Sequence, residues 1–161
     1  MLCAVHFVAL SLMIDLCDTL ELAPDNSTVA SAVQWLEALG ERHGWPARVQ
    51  FALTVSVDEA LTNIVCYGFA DAPAMAAAPY IRMLYRRDEQ GIHIDIRDNG
   101  VAFDPTTLPP PDHAKSIETA DIGGHGVQLM RHFLQNLSYA RENGENHLAM
   151  TAALPDAEAS G

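Results

Sequence analysis

The sequence predicts a two-layer α/β sandwich of the α+β kind: a mixed, mostly antiparallel sheet covered on one face by about three helices. Three observations predict it. Ile92, Ile94 and Ile96 alternate with polar residues, Ile81, Met83 and Tyr85 just upstream alternate with Arg82, Leu84 and Arg86, and Asp88-Glu89-Gln90-Gly91 between them is a hairpin turn. Apolar residues recur at helical spacing early in the chain (Val29, Val33, Leu36, Leu39) and again after Gly126 (Val127, Leu129, Met130, Phe133, Leu134). The chain then closes on a second hairpin, Leu137 to Arg141 and Leu148 to Leu154, with a turn at Glu142-Asn143-Gly144.

The elements follow in order. Met1 to Ile14 is apolar and has no Lys or Arg, so it lacks the basic region of a signal peptide, and it is too short to span a bilayer. No membrane association is expected, and residues 1–14 read as a poorly specified extension. Asp15 to Ala23 reads as an edge strand, with Leu16, Leu20 and Leu22 imperfectly alternating. Pro24-Asp25-Asn26-Ser27 is a turn and helix start, and Gly44 stops the helix that spans Thr28 to His43. Trp45-Pro46 leads into a second helix over about Ala47 to Tyr67. Pro79 to Arg87 and Gly91 to Arg97 are the two strands of the first hairpin. Pro105 to Ile122 is polar, rich in proline and without period, and a loop of that length inside a compact domain is functional or disordered. Residues 155–161 are small and polar and read as a frayed tail.

A length of 161 residues fits one domain, and 49% hydrophobic with 19% charged residues fits a soluble globular protein. The net charge of −12 argues against direct nucleic-acid binding. It does not argue against a nucleotide, whose phosphates are held by backbone N–H groups and a metal ion. Cys3, Cys17 and Cys66 form no Cys-x-x-Cys pair, which suits reduced thiols in a cytoplasmic protein. His125 and His132 lie two helical turns apart with no further clustered ligand, so no histidine metal site is indicated.

Three short groups carry possible chemistry. The Ile92–Ile96 strand delivers Asp98-Asn99-Gly100 to its C-terminal end. A carboxylate fixed there can accept from an exocyclic amine such as adenine N6, and Gly100 permits a tight turn or a close approach to the backbone. Taken alone, the same residues read first as a simple turn. On the second helix, Glu59 and Asn63 are four residues apart and share a face roughly opposite Val57 and Leu61. An amide oxygen there can ligate Mg²⁺, and a carboxylate can deprotonate a hydroxyl; the same pair also reads as a solvent-exposed polar face. Finally, Gly123-Gly124-His125-Gly126 opens a helix, where free N–H groups and the positive end of the dipole suit phosphate. It matches neither the Walker pattern nor the dinucleotide pattern.

Together, and in this order, the three groups resemble the GHKL or Bergerat-fold ATPases. That superfamily includes histidine kinases, type II topoisomerases and heat-shock chaperones. The short length and the ending Leu137 to Leu148 look most like the anti-sigma-factor serine/threonine kinases. The resemblance implies a kinase domain over residues 15–154, with ATP and Mg²⁺ as cofactors. Asn63 would bind the metal, Asp98 and Gly100 the base, and Gly124, His125 and Gly126 the phosphates beneath a lid formed by Pro105 to Ile122. Glu59 would be the catalytic base, with the adjacent Asp58 a poorer candidate. The implied partners are a sigma factor and an anti-anti-sigma protein of the STAS type, whose serine is phosphorylated; a homodimer is allowed. The implied role is transcription regulation by partner switching. A non-catalytic ATP-binding partner-switch module of the same fold is the alternative, and a hydrolysing ATPase a third reading. Tyr67, where the family often has a histidine, and Ala102, where many relatives have a second glycine, depart from the pattern without removing a ligand.

Overall fold

The computed structural model describes residues 17–70, 77–107 and 124–155. The N-terminal extension, most of the Pro105 to Ile122 segment, Gly123, the His125 side chain and all but the first residue of the tail lie outside the described residues. The strands are β1 (Cys17–Leu22), β2 (Ile81–Asp88), β3 (Gly91–Asp98), β4 (Asn136–Glu142) and β5 (Glu145–Ala152). The helices are α1 (Thr28–His43), α2 (Ala47–Asn63) and α3 (Gly124–Phe133). One five-stranded sheet runs β1-β2-β3-β5-β4, and its four pairings are all antiparallel. The expected sandwich is therefore present, and no parallel pair occurs among the described strands.

Each turn has a local cause. The β2–β3 turn is held by Asp88, whose Oδ1 accepts from the N–H groups of Gln90 and Gly91 at 2.8 and 3.3 Å. The β4–β5 turn places Asn143 and Gly144 at φ of 51° and 85°, the paired left-handed geometry that Asn-Gly favours. At the start of α1, Thr28 Oγ1 donates to the Ala23 carbonyl at 2.6 Å and accepts from the Asp25 N–H at 2.9 Å, which joins β1 to the helix. Gly44 ends α1 in the left-handed conformation, as the sequence predicts.

Register shows which face is covered. Met83, Ile96 and Leu148 stand side by side across β2, β3 and β5, and so do Tyr85, Ile94 and Met150. All six are buried, against Leu36 of α1, Leu53, Val57 and Leu61 of α2, and Met130 of α3. The opposite face carries Arg82, Arg97 and His147 in the same row. On this inner face the core is continuous, and α2 lies between α1 and α3.

The second helix departs from expectation at its end. It is α-helical only to Asn63, and Ile64–Gly68 forms a π-turn. The wider turn carries the Gly68 carbonyl to Val101, whose N–H donates to it at 2.9 Å. Ala47–Gly68 is 22 residues long with hydropathy 1.2, enough by length and composition to cross a membrane. Here it is the central core helix, with Leu53, Val57 and Leu61 fully buried.

Candidate functional site

The inner face ends in a polar row. Beyond the two apolar rows, the next in-register set is Ile81, Asp98 and Asn146, continued by Arg141 on β4. Strand parity thus aims Asp98 and Asn146 into the space under the helices. Asp98 is 2% exposed and Asn146 6%. Buried polar groups need partners, and these two supply each other: Asn146 Nδ2 donates to Asp98 Oδ1 at 2.8 Å. The same oxygen accepts from the Gly100 N–H at 2.9 Å. Asp98 Oδ2 has no hydrogen bond to any described residue. Burial pushes the Asp98 carboxyl above its ordinary value, against the opposing pull of Asn146, the Gly100 N–H and the Arg141 charge.

The loop after β3 is tied on three sides. Asn99 Oδ1 accepts from the Tyr80 N–H and its Nδ2 donates to the Ala78 carbonyl, each at 2.9 Å. Asn146 Nδ2 donates to the Val101 carbonyl at 2.9 Å, and Val101 N–H reaches Gly68. A Cβ at Gly100 would stand 2.6 Å from the Gly68 carbonyl oxygen. The close approach that needs a glycine is therefore made by the end of α2, an element the local sequence does not point to.

Glu59 and Asn63 occupy the last two turns of α2. The reading of an exposed polar face is overturned: Asn63 is 7% exposed and Glu59 is half-buried. The physical reasons are two: α3 packs against Glu59 through Gly126, and the end of β3 with the loop after it closes over Asn63. The Asn63 side chain has no hydrogen bond to any described residue. The amide is not wholly shut off from solvent, so it faces open space in which water, a ligand or an ion can meet it. Asn63 lines one pocket with Asp98 and Asn146, whose apolar walls include Ile64, Val101 and Phe103. One turn back, the Glu59 carboxylate occupies the place where a Cβ on Gly126 would stand. That contact sets the first turn of α3, which begins at Gly124, beside Glu59.

The structure thus gathers Asn63 and Asp98 at one pocket, sets Gly100 behind Asp98 through its N–H, and brings Glu59 and Gly126 together beside the pocket. The side chain of His125 lies outside the described residues. An amide oxygen, a half-satisfied carboxylate and a helix N-terminus fit a purine nucleotide with a hard cation. No cluster of His, Cys, Asp or Glu able to hold a metal by itself occurs among the described residues, so the cation would depend on Asn63, phosphate oxygens and water.

Sequence reasoning missed Asn146, Tyr139 and Arg141. Tyr139 Oη and Arg141 Nη1 donate to Asn146 Oδ1 at 2.7 and 2.6 Å, and Arg141 Nη1 also donates to the Gly100 carbonyl at 3.1 Å. The signal existed. The Asn143-Gly144 turn fixes Arg141 opposite Asn146, and Asn146 has the parity of the apolar Leu148 and Met150.

Comparison with known proteins agrees with this geometry. Residues 22–152 match the family described as the histidine kinase-like ATPase domain. The chain is also 45% identical over 135 residues to the serine/threonine-protein kinase BtrW of Bordetella bronchiseptica, an overlap of 84% of this chain and 92% of that protein.

Proposed function

The chain belongs to the histidine kinase-like ATPase domain family, and from that premise we propose that it is an ATP-dependent serine/threonine protein kinase of the anti-sigma type, acting in the cytoplasm. It binds a sigma factor and phosphorylates a serine on an anti-anti-sigma partner of the STAS type. The observation that carries the reading is Asn63: a buried amide with no described partner, lining the pocket that Asp98 also lines, one helical turn from Glu59. The kinase name of the 45% identical relative supports the choice of reaction.

Each residue then has a task. Asp98 Oδ2 accepts from the 6-amino group of adenine. Gly68 and Asn146 hold the Val101 backbone, so the wall of the base pocket is already formed before a nucleotide arrives. Gly124, His125 and Gly126 offer backbone N–H groups to phosphate oxygens. Asn63 Oδ1 would be this chain's ligand to Mg²⁺, which when bound would supply positive charge to offset that of the phosphates. Glu59 takes the proton from the partner's serine hydroxyl as that oxygen bonds to the γ-phosphorus and the bond to the β-phosphate oxygen breaks, leaving ADP. Phosphate on the partner adds charge to its interface and releases it, so the sigma factor is bound again.

The test is single-turnover transfer from γ-labelled ATP with Mg²⁺ to a STAS-type partner. Label on one serine, absent when that serine is changed to alanine, is the expected result. A wild-type protein that binds Mg-ATP tightly yet labels no partner would overturn the kinase reading and leave a non-catalytic partner switch.

A further inference from the structure

Helices α2 and α3 meet along a seam with two different ends. At one end the Glu59 carboxylate fills the place of a Cβ on Gly126. At the other the Phe51 and Phe133 rings meet edge to face, their centroids 5.4 Å apart. The two helices therefore run antiparallel, and Phe51, Val55 and Glu59 are successive positions on one i±4 ridge of α2. The rise from Phe51 to Glu59 is roughly 12 Å. Despite its contact with Phe133, Phe51 is 55% exposed, and Leu129, one turn before Phe133 on α3, is 40% exposed. The remaining exposed large apolar side chains among the described residues belong to the nucleotide pocket: Val101 and Phe103 line it, and Tyr67 is on the π-turn beside it. Phe51 and Leu129 do not line that pocket.

We propose that this seam is where the phosphoacceptor protein docks, seating an apolar side chain against Phe51, Phe133 and Leu129 while its serine reaches Glu59. The inference rests on the kinase reading and adds the surface that recognises the protein substrate. A serine hydroxyl gives up its proton only within hydrogen-bond reach of the Glu59 carboxylate, so the protein that carries it must cover the helix surface around that residue. Towards the C-terminus of α2 the ridge leads to Asn63 and the nucleotide. On the core side stands buried Ala60. The surface left to a protein runs back along the ridge, over half-buried Val55 to the exposed ring of Phe51. An aromatic ring held by a second ring is already ordered, and rings of this kind dominate the binding energy of protein interfaces. Charge gives the seam a direction. Asp58 and Glu59 are acidic at one end, and exposed Arg48 lies one turn before Phe51 at the other. The partner that fits carries its apolar contact roughly 12 Å from its serine, with an acidic group beyond that contact.

The experiment measures labelling of a purified STAS-type protein from γ-labelled ATP with Mg²⁺, for the full chain and its variants, over a range of partner concentrations. Phe51→Ala raises the KM for the partner roughly tenfold or more, the effect of losing an aromatic anchor. It leaves ATP affinity and the rate at saturating partner at the wild-type level. Phe51→Leu, which stays apolar, recovers most of the loss. Leu129→Ala moves KM in the same direction and serves if Phe51→Ala does not fold. A wild-type KM in the folded variants overturns the proposal. A slower rate at saturating partner with KM unchanged also overturns it, and marks Phe51 as support for Glu59. Lost self-association in sedimentation with KM unchanged overturns it too, and gives the face to a second copy of this chain. Wild-type protein that labels no STAS-type protein overturns the kinase reading itself, and the docking proposal with it.

Discussion

The carboxylate of Glu59 fills the space into which a side chain on Gly126 would grow. One residue is on the second-last turn of α2 and the other in the first turn of α3. A carboxylate beside a helix N-terminus is electrostatically favoured there, so the two helices fix the proposed base with no hydrogen bond to it among the described residues. Gly126→Ala forces the carboxylate to swing away. The expected outcome is a retained fold by circular dichroism with strongly slowed serine phosphorylation in single turnover. Transfer at the wild-type rate would show that Glu59 need not sit where it does.

Glu59→Gln separates the base from its position. The amide keeps the packing against Gly126 and cannot take a proton. ATP affinity should hold or rise slightly, because a negative charge near phosphates is removed, while transfer falls about 10²–10⁴-fold. Calorimetry and single-turnover labelling of the same preparation check both halves. Unimpaired transfer would move the base elsewhere, with Asp58 the next candidate; Asp58 is exposed and accepts from Thr62 Oγ1 at 3.3 Å.

Two buried asparagines make a contrasting pair. Asn146 makes hydrogen bonds to Asp98, Val101, Tyr139 and Arg141. Asn63 makes none to a described residue. Asn146→Ala strands Asp98 and should cost about 1–3 kcal/mol or more in denaturant unfolding. Asn63→Ala removes no bond within the described protein, so its unfolding midpoint should match or exceed the wild type. Its loss should appear only in Mg²⁺-dependent nucleotide affinity. A large destabilisation by Asn63→Ala would mean that the amide serves the fold.

What the sequence makes legible follows the range of the interactions. The hairpin turns and the strand ending at Asp98 are local, and alternation with turn chemistry places them within a residue or two. Asn63 was ambiguous because a helical wheel assumes one buried side, whereas α2 is covered by α1, the sheet and α3 together. The π-turn at Ile64–Gly68 has no local mark; it answers to Val101, a residue far along the chain. Asn146 was readable in principle from hairpin register, but its use depends on Asp98 arriving from β3 by tertiary pairing.

Asp98 yields a prediction with two opposite slopes. Its carboxyl lies above the ordinary 3.8, chiefly through burial. A carboxyl raised on folding binds its proton more tightly in the folded state, so its contribution to stability is fully present below 3.8 and is lost as pH rises through the raised value. Nucleotide binding runs the other way, because an ionised carboxylate accepts more strongly from the 6-amino group of adenine than a neutral group does. ATP affinity should therefore fall as pH drops through that same raised value, where the free protein gains Asp98's contribution. Asp98→Asn removes both slopes: its stability relative to wild type should be greatest near neutrality and shrink on acidification, and its weaker ATP binding should be flat with pH in that window. Denaturant unfolding and calorimetry across the acid side of neutrality measure the two. Parallel pH profiles for wild type and Asp98→Asn would show that Asp98 does not titrate in contact with the base.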